Sequence, residues 1–129
     1  YYIGRWSVQS KNPLIIFDSA HNKEGLVDTF EKVVDMNHGQ LHIVFATVAD
    51  KDLKPVLPIF PKEAKYYFTK ADIPRAMNES ILSEEFAQVG LNGSAFSNSV
   101  MALVAAKEQA EIDDTILVVG SIFLIAELI

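Results

Sequence analysis

The fold of this chain is decided by one stretch, Leu14-Ile15-Ile16-Phe17-Asp18-Ser19-Ala20-His21-Asn22-Lys23-Glu24-Gly25. Its four leading apolar residues predict a strand that is covered on both faces, because no polar residue alternates with them. The polar turn that follows places an acid and an imidazole at the carboxyl end of this strand, and Asn22 is a good N-cap for a helix beginning near Gly25. Open α/β sheets bind their ligands at the carboxyl ends of their strands, so this turn is a candidate binding site.

Strands and helices alternate along the rest of the chain. Apolar runs predict strands at 41–47, 64–69 and 115–119, a very short strand at 95–96, and a half-buried strand near 2–9, where polar and apolar residues alternate. Helical spacing predicts helices at 25–35, 79–89 and 122–128, and one that runs to Ala110. The prolines make a further helix between 53 and 60 short or irregular. This alternation is typical of right-handed βαβ units and predicts a mostly parallel sheet.

Two helices carry more detailed expectations. In the helix at 79–89, Ile81, Leu82 and Phe86 are expected to face the core because they recur at helical spacing. The helix that ends at Ala110 is expected to be capped by a serine, either Ser97 or Ser99.

Composition limits the class of protein. A chain of 129 residues, half of them apolar, suits one domain with one core. The net charge is −6 without a run of five basic residues, so nucleic-acid binding is not expected. There is no cysteine, and the three histidines are too scattered to predict a metal site. The longest nearly apolar run, 116–126, is shorter than the about 20 residues that a membrane helix needs. We expect a cytoplasmic protein without a membrane partner and, since the chain begins at Tyr1 without Met, a piece of a longer one.

Several positions have more than one chemical interpretation. Neither phosphate-binding pattern, G-x-x-x-x-G-K-[ST] or G-x-G-x-x-G, occurs, so this domain is not expected to supply the main cradle for a nucleoside triphosphate. Asp18 either accepts a hydrogen bond from a ribose or another ligand hydroxyl, or caps its own turn through backbone N–H groups. His21 either positions a ligand carboxylate, acts as an acid or base near neutral pH, or is a structural loop residue.

A second strand end, at Gly120-Ser121, leads directly into a helix. Backbone N–H groups and a hydroxyl in this geometry can receive an anion, although Ser121 can equally be a simple N-cap. The G-x-S-x-G pattern is missing, so a serine hydrolase is not indicated. Arg5 and Arg75 either bind a phosphate or carboxylate through the forked guanidinium, or are solvated surface residues.

Together these motifs resemble one family. The chain carries, in order, Gly4-Arg5, Phe17-Asp18-Ser19-Ala20-His21-Asn22, Asp50-Lys51-Asp52, Pro74-Arg75-Ala76 and Gly120-Ser121-Ile122-Phe123-Leu124. Their order and spacing resemble the C-terminal domain of folylpolyglutamate synthase and dihydrofolate synthase, in the Mur ligase superfamily. The family pattern Asp-Gly-Ala-His-Asn-Pro differs at two positions, where this chain has Ser19 and Lys23. A turn that needs a positive φ would be strained by Ser19, whereas Lys23 should leave the helix intact.

The resemblance implies a fold and an activity. The fold is a Rossmann-like three-layer α/β sandwich with helices on both faces, and residues 1–129 form the single C-terminal domain of a longer enzyme. The activity is ATP-dependent amide ligation, with ATP and Mg²⁺ as cofactors: a carboxylate of folate or dihydropteroate becomes an acyl phosphate, which the amine of L-glutamate attacks. The P-loop and the Mg²⁺ ligands belong to an N-terminal domain, over whose nucleotide this domain closes as a lid. The isolated domain is expected to be inactive, and the enzyme to be a monomer.

The resemblance also implies roles for particular residues. Arg5 contacts the ATP phosphates, and Asp18 contacts the adenosine side of the nucleotide. His21 and Ser121 face the incoming glutamate and are the catalytic candidates. The remaining substrate-binding candidates are Asn22, Asp50, Lys51 and Arg75.

Two other functions remain alternatives. One is the related domain of a peptidoglycan Mur ligase, although the Pro74-Arg75-Ala76 and Gly120–Leu124 motifs favour the folate enzymes. The other is a non-catalytic α/β binding module such as a receiver domain. A receiver should carry an acidic pair after its first strand and a phosphorylatable Asp after its third, and the sequence contains no such set.

Overall fold

The computed structural model of the protein describes residues 5–129. The strands are β1 Ser7–Lys11, β2 Leu14–Asp18, β3 Leu41–Phe45, β4 Ala64–Phe68, β5 Gly93–Ala95 and β6 Thr115–Val119. The helices are α1 Lys23–Met36, α2 Glu79–Ala87, α3 Ser99–Gln109 and α4 Ile122–Leu128. The strands form one sheet in the order β1-β2-β6-β3-β4-β5, in which β1 is antiparallel to β2 and every other pair is parallel. The predicted mostly parallel sheet is therefore confirmed.

Helices cover both faces of this sheet. On one face α1 and α2 pack against side chains such as Ile16, Ile43 and Leu117. On the other face α3 and α4 pack against Val44 and Val118. Because β2, β3 and β6 are covered on both sides, their sequences are nearly uninterrupted apolar runs. No helix in the described part of the chain has the length and apolar character needed to cross a membrane.

An aromatic cluster fills the face that α1 and α2 cover. The ring centroid of Phe60 lies 4.9 Å from that of Phe30, 5.0 Å from that of Phe45 and 4.8 Å from that of Phe86. Phe60 follows a single 3₁₀ turn, Leu57–Ile59, which is all that forms of the helix predicted between 53 and 60. The prolines of this segment interrupt a regular helical hydrogen-bond ladder, as expected, and burial of Phe60 holds the segment on the core.

Two expectations about the helices are wrong. Ile81 is 53% exposed, because α2 turns Leu82 and Phe86 toward the sheet instead. The N-cap of α3 is Asn98, whose side chain accepts a hydrogen bond from a backbone N–H of the first turn, and neither Ser97 nor Ser99 is the cap. Asparagine and serine cap helices about equally well, so residue type alone does not choose between adjacent candidates.

The first strand also differs from its prediction. Residues 1–4 of the predicted strand lie outside the described residues. Trp6 has a positive φ of 43°, so regular strand geometry begins only at Ser7. The register with β2 shifts between Val8 and Ser10, and Val8 is exposed. The predicted alternation of buried and exposed residues is therefore wrong here, while the short strand predicted at 95–96 forms at Gly93–Ala95.

A buried polar network lies toward the amino ends of the strands. His42 places Nε2 2.9 Å from Oδ2 of Asp114 and Nδ1 2.8 Å from the hydroxyl of Tyr67. Asp114 also accepts hydrogen bonds from the N–H groups of Gln40 and Glu111, at 2.9 and 3.0 Å. Burial alone would raise the pKa of Asp114, but these N–H groups and His42 outweigh burial and hold that pKa below its ordinary value. Burial and the nearby Asp114 carboxylate raise the pKa of Tyr67 to about 12.

Candidate functional site

Asp18 is the last residue of β2, so it lies at the carboxyl ends of the parallel strands, away from the His42 network. It is only 1% exposed. Its Oδ1 accepts a hydrogen bond from the N–H of Ala20 at 2.9 Å. Its Oδ2 accepts hydrogen bonds from the N–H of Trp6 and from the hydroxyl of Thr29, each at 3.2 Å. A buried carboxylate needs such partners, because its desolvation is costly without them. The turn-capping interpretation of Asp18 is therefore confirmed, and the same carboxylate also connects the first strand to α1.

Arg5 pairs with this buried carboxylate. Its Nε lies 3.1 Å from Oδ1 of Asp18, and its side chain is 48% exposed. The neighbouring Trp6 has the left-handed backbone that bulky residues seldom adopt, and its hydrogen bond to Asp18 helps to hold that backbone. The Nζ of Lys32 lies 5.4 Å from the centroid of the Trp6 ring. The result is a fixed, half-exposed guanidinium at this edge of the sheet.

The turn between Asp18 and α1 accommodates both departures from the family pattern. Among residues 5–129, Trp6 is the only residue other than glycine with a positive φ, so Ser19 has no such strain. Asn22 accepts a hydrogen bond from a first-turn N–H at 2.9 Å and caps α1, as predicted. The helix begins at Lys23, which confirms that this residue leaves it intact.

Gly120 connects β6 to α4 with a φ of 118°. A Cβ at this position would collide with the carbonyl oxygen of Ala46 and with the ring of Phe45. Only glycine therefore lets the chain turn this close to the end of β3. The close approach brings the start of α4 beside the loop that follows β3.

Ser121 and His21, the two catalytic candidates, line the same cavity. The Oγ of Ser121 accepts hydrogen bonds from the N–H groups of Phe123 and Leu124, at 3.1 and 3.4 Å. The N-cap interpretation of Ser121 is confirmed, and its own O–H remains available as a donor. The Nδ1 of His21 lies 3.3 Å from the carbonyl oxygen of Ser19. Because a carbonyl only accepts, Nδ1 carries a proton in this contact and Nε2 remains available.

The loops that follow β3 and β4 are joined through their backbones. Three contacts join residues 47–49 to residues 75–77: the antiparallel bridge Val48–Ala76, the hydrogen bond from Ala49 N–H to the carbonyl of Arg75 (2.7 Å) and the hydrogen bond from Met77 N–H to the carbonyl of Thr47 (3.0 Å). The loop backbones that carry Lys51 and Arg75 are therefore held together; Lys51 is half-buried and Arg75 is exposed.

A cavity of about 220 Å³ lies between these loops and the start of α4. Its lining residues come from four separate segments of the chain: His21, Thr47, Val48, Lys51, Arg75, Gly120, Ser121, Ile122 and Phe123. All of them belong to the described residues, and none is acidic. The lining therefore includes two hydroxyl-bearing residues, two cations and a histidine, which favours an anionic ligand.

Four predicted site residues line this cavity: His21, Lys51, Arg75 and Ser121. The other four do not. Arg5 and Asp18 form the separate ion pair, and Asn22 uses its side-chain oxygen to cap α1. Oδ1 of Asp50 lies 3.9 Å from Nη2 of Arg75, and both side chains of this ion pair are exposed. Three larger grooves, of about 710, 650 and 320 Å³, contain none of the predicted residues.

Besides Gly120, four further lining residues were not predicted as site residues: Thr47, Val48, Ile122 and Phe123. A signal existed for each pair. Thr47 and Val48 directly follow the buried β3, where strand ends carry ligand sites. Ile122 and Phe123 belong to a motif that the resemblance already used. Val48, Ile122 and Phe123 were not predicted because an apolar residue at a strand or helix end is usually part of the core, and Thr47 was not predicted because it belongs to none of the motifs.

A family model for the Mur ligase glutamate ligase domain matches residues 4–122. The chain belongs to this family. The curated relatives of this glutamate ligase domain are folate enzymes. A probable bifunctional folylpolyglutamate synthase/dihydropteroate synthase of Haloferax volcanii is 32% identical over 130 residues, covering 98% of this chain and 15% of the relative. A dihydrofolate synthase/folylpolyglutamate synthase of Buchnera aphidicola is 30% identical, covering 96% of this chain and 30% of the relative.

Solved structures of folate ligases have the same fold as this chain. E. coli FolC in complex with DHPP and ADP superimposes with a TM-score of 0.88 at 27% identity, covering 98% of this chain and 30% of that chain. The Yersinia pestis folylpolyglutamate synthase/dihydrofolate synthase, solved with AMPPNP and a Mn ion, has the same fold, with a TM-score of 0.86 at 24% identity. The resemblance and the Rossmann-like fold are confirmed. The glutamate ligase domain spans only 15 to 30% of the curated relatives named above.

Proposed function

We propose that this chain is the C-terminal domain of an ATP-dependent ligase that joins L-glutamate to a carboxyl group of folate or dihydropteroate. The cavity at Ser121 carries the proposal. Its volume of about 220 Å³ is below the roughly 300–1,000 Å³ of pockets for larger ligands, which suits an amino acid better than a nucleotide or a pterin. Its lining of cations and hydroxyls, without an acidic side chain, suits a dicarboxylate. The names of the relatives supply the chemistry that such an amino acid enters.

The nucleotide is proposed to contact Arg5. The half-exposed guanidinium offers donors that match the geometry of a phosphate. Asp18 is proposed to hold that guanidinium in place. Its predicted contact with the adenosine side of ATP would require one of its present partners to give way, since both carboxylate oxygens are occupied. The ADP bound by E. coli FolC supports a nucleotide as the ligand.

The proposed reaction has two steps. ATP transfers its terminal phosphoryl group to the carboxylate of the folate substrate, giving an acyl phosphate and ADP. The amine of L-glutamate then attacks the carbonyl carbon and loses a proton, and the tetrahedral intermediate expels phosphate to leave an amide. Nε2 of His21 is available to accept that proton. Ser121, Lys51 and Arg75 are proposed to bind the glutamate carboxylates through charge-assisted hydrogen bonds.

Asn22 and Asp50 have indirect roles in this scheme. The side-chain oxygen of Asn22 caps α1, so this residue would act by fixing the turn that carries His21. Asp50 pairs with Arg75 and would orient that guanidinium rather than bind an anionic ligand.

Phosphoryl transfer from ATP uses Mg²⁺. Within residues 5–129 no group of three or more His, Asp or Glu side chains is placed to hold a metal ion. We propose that Mg²⁺ and the P-loop belong to an N-terminal domain, which is the partner of this domain. The domain would close over the nucleotide as a lid, in a cytoplasmic, monomeric enzyme.

The test is the activity of the complete ligase that carries this domain. ATP-dependent joining of radiolabelled L-glutamate to dihydropteroate and to tetrahydrofolate is measured by separation of the products. We expect incorporation with at least one folate substrate, and none with the 129-residue chain alone. Ligation of an amino acid to a peptidoglycan precursor, without activity on either folate substrate, would identify the related Mur ligase and refute the proposal.

A further inference from the structure

We propose that Thr47 is a ligand-contacting residue of the cavity, whose hydroxyl donates a hydrogen bond to a carboxylate of the bound amino acid. This inference rests on the proposed function and adds to it a residue that no family motif contains. It begins from the hydrogen bonds of Thr47 itself.

The hydroxyl of Thr47 has no partner among the described residues. The residue is only 6% exposed, and its carbonyl accepts the hydrogen bond from Met77. No side chain or backbone group within residues 5–129 donates to its hydroxyl or accepts from it. A hydroxyl without a protein partner in the lining of a cavity is free to form a hydrogen bond with a molecule in that cavity.

The hydroxyl is nevertheless reachable from the cavity. In the part of the chain that the structure describes, the fully enclosed side-chain atoms without a hydrogen-bond partner are Oδ1 of Asn37 and Oε1 of Glu79, the latter lying 3.5 Å from Nζ of Lys70. The Oγ1 of Thr47 is not one of them, so it keeps an opening. Thr47 lines the cavity at Ser121 and is otherwise covered, and we infer that its hydroxyl opens into that cavity.

Thr69 shows what a structural threonine at a comparable position does. It follows β4, the strand next to β3, and is likewise buried. Its hydroxyl donates to the carbonyl of Phe96 at 3.0 Å. Thr29, also buried, donates to Asp18. Thr47 differs from both, because the group that would accept its hydrogen bond is missing from the described residues and is supplied by a ligand.

The chemistry of the cavity identifies that ligand group. Ser121 offers one hydroxyl donor, and Lys51 and Arg75 offer charged donors from flexible side chains. A dicarboxylate presents more acceptor oxygens than Ser121 can satisfy, and a neutral donor on a buried backbone is held more rigidly than a lysine or arginine. Thr47 therefore fixes the depth of one carboxylate, while the cations supply most of the attraction.

The test compares three variants of the complete ligase in steady-state kinetics. Thr47→Val keeps the shape of the side chain and removes its hydroxyl, whereas Thr47→Ser keeps the hydroxyl. Thr69→Val is the matched control, because the hydroxyl of Thr69 already donates to the carbonyl of Phe96. We expect Thr47→Val to raise the KM for L-glutamate about tenfold, the effect of losing one hydrogen bond to a charged group. The KM for ATP should stay unchanged, and Thr47→Ser should stay near the wild type. If Thr47→Val cannot be purified, Thr47→Ala is compared with Thr47→Ser by the same measurement.

The outcomes separate this inference from the function on which it rests. A wild-type enzyme that uses L-glutamate, with a Thr47→Val variant whose KM for glutamate is within twofold of it, overturns the inference alone. An equal rise of the KM for L-glutamate in Thr69→Val also overturns the inference, since the rise in Thr47→Val would then come from disturbed packing and not from a lost contact with the ligand. A wild-type enzyme that does not ligate L-glutamate overturns both.

Discussion

The Nε of Arg5 lies 3.1 Å from Oδ1 of Asp18, which joins a half-exposed cation to a carboxylate that is almost completely buried. The carboxylate is oriented by two backbone N–H groups and by the hydroxyl of Thr29. The arginine is therefore held from one side and open to solvent on the other. The two residues with a proposed role in nucleotide binding act as one unit, but they contribute differently to stability.

Replacing each member of this pair should separate the two contributions. Arg5→Ala removes an exposed charge, so we expect it to raise the KM for ATP with little change in thermal stability. Asp18→Ala leaves two backbone N–H groups and the Thr29 hydroxyl without their acceptor and also unpairs Arg5, and we expect a loss of about 3 kcal/mol in the free energy of unfolding. Denaturant unfolding and ATP kinetics of the complete ligase measure both effects. Equal stabilities for the two variants would contradict the structural role of Asp18.

Gly120→Ala should be strongly destabilising, because the added Cβ meets the backbone of Ala46 and the ring of Phe45. Gly90→Ala is the matched control: Gly90 also has a positive φ, of 83°, but a Cβ there meets nothing within 4 Å. We expect a cost of about 1 kcal/mol at Gly90, from backbone strain alone, and a clearly larger one at Gly120. Urea unfolding of the 129-residue chain distinguishes them, and similar losses would argue against the close approach at the cavity.

The network at Asp114 makes stability depend on pH. In the unfolded chain this carboxyl has its ordinary pKa near 3.8, and in the folded protein its pKa is lower. The ionised group therefore stabilises the fold above pH 3.8, and this contribution is lost as the pH falls through the lower, folded pKa.

The measurement is the free energy of unfolding in urea between pH 7 and pH 3. Asp114→Asn should cost about 1–3 kcal/mol near neutral pH, since it disturbs a buried hydrogen-bonded charge, and it should flatten the acid dependence. Asp113→Asn changes an exposed neighbour and should follow the wild-type profile. A wild-type profile parallel to that of Asp114→Asn would rule out this source of acid sensitivity.

Arg75 should matter for binding rather than for folding. Its ion pair with Asp50 spans 3.9 Å between two exposed side chains, and such pairs contribute about 0–1 kcal/mol. We expect Asp50→Asn to change the free energy of unfolding by less than about 0.5 kcal/mol. Arg75→Ala should raise the KM for L-glutamate about tenfold, with an effect that weakens at high salt. An unchanged KM for glutamate would remove Arg75 from the proposed site.

Much of the fold was predictable because its central strands are covered on both faces. Such strands appear as apolar runs that end in polar turns, so β2, β3 and β6 were found directly. Edge elements were harder to predict. Val8 and Ile81 lie where packing, rather than periodicity, decides which side chain is buried.

The lining of the candidate cavity was predictable only in part. Strand ends indicated His21 and Ser121, the forked guanidinium indicated Arg75, and the family resemblance added Lys51. The partners of Asp18 were not predictable, because Trp6 reaches it through a backbone N–H in a rare conformation. The backbone bridge between residues 47–49 and 75–77 joins two loops that are distant in sequence and carry no pairing pattern.

The most direct test of the proposed glutamate site is a crystal structure of the complete ligase with ADP and L-glutamate. We expect glutamate in the cavity between the loop after β3 and the start of α4, with carboxylate oxygens about 2.7–3.2 Å from Oγ of Ser121 and from Lys51 or Arg75. Glutamate bound at another place, with this cavity empty, would contradict it.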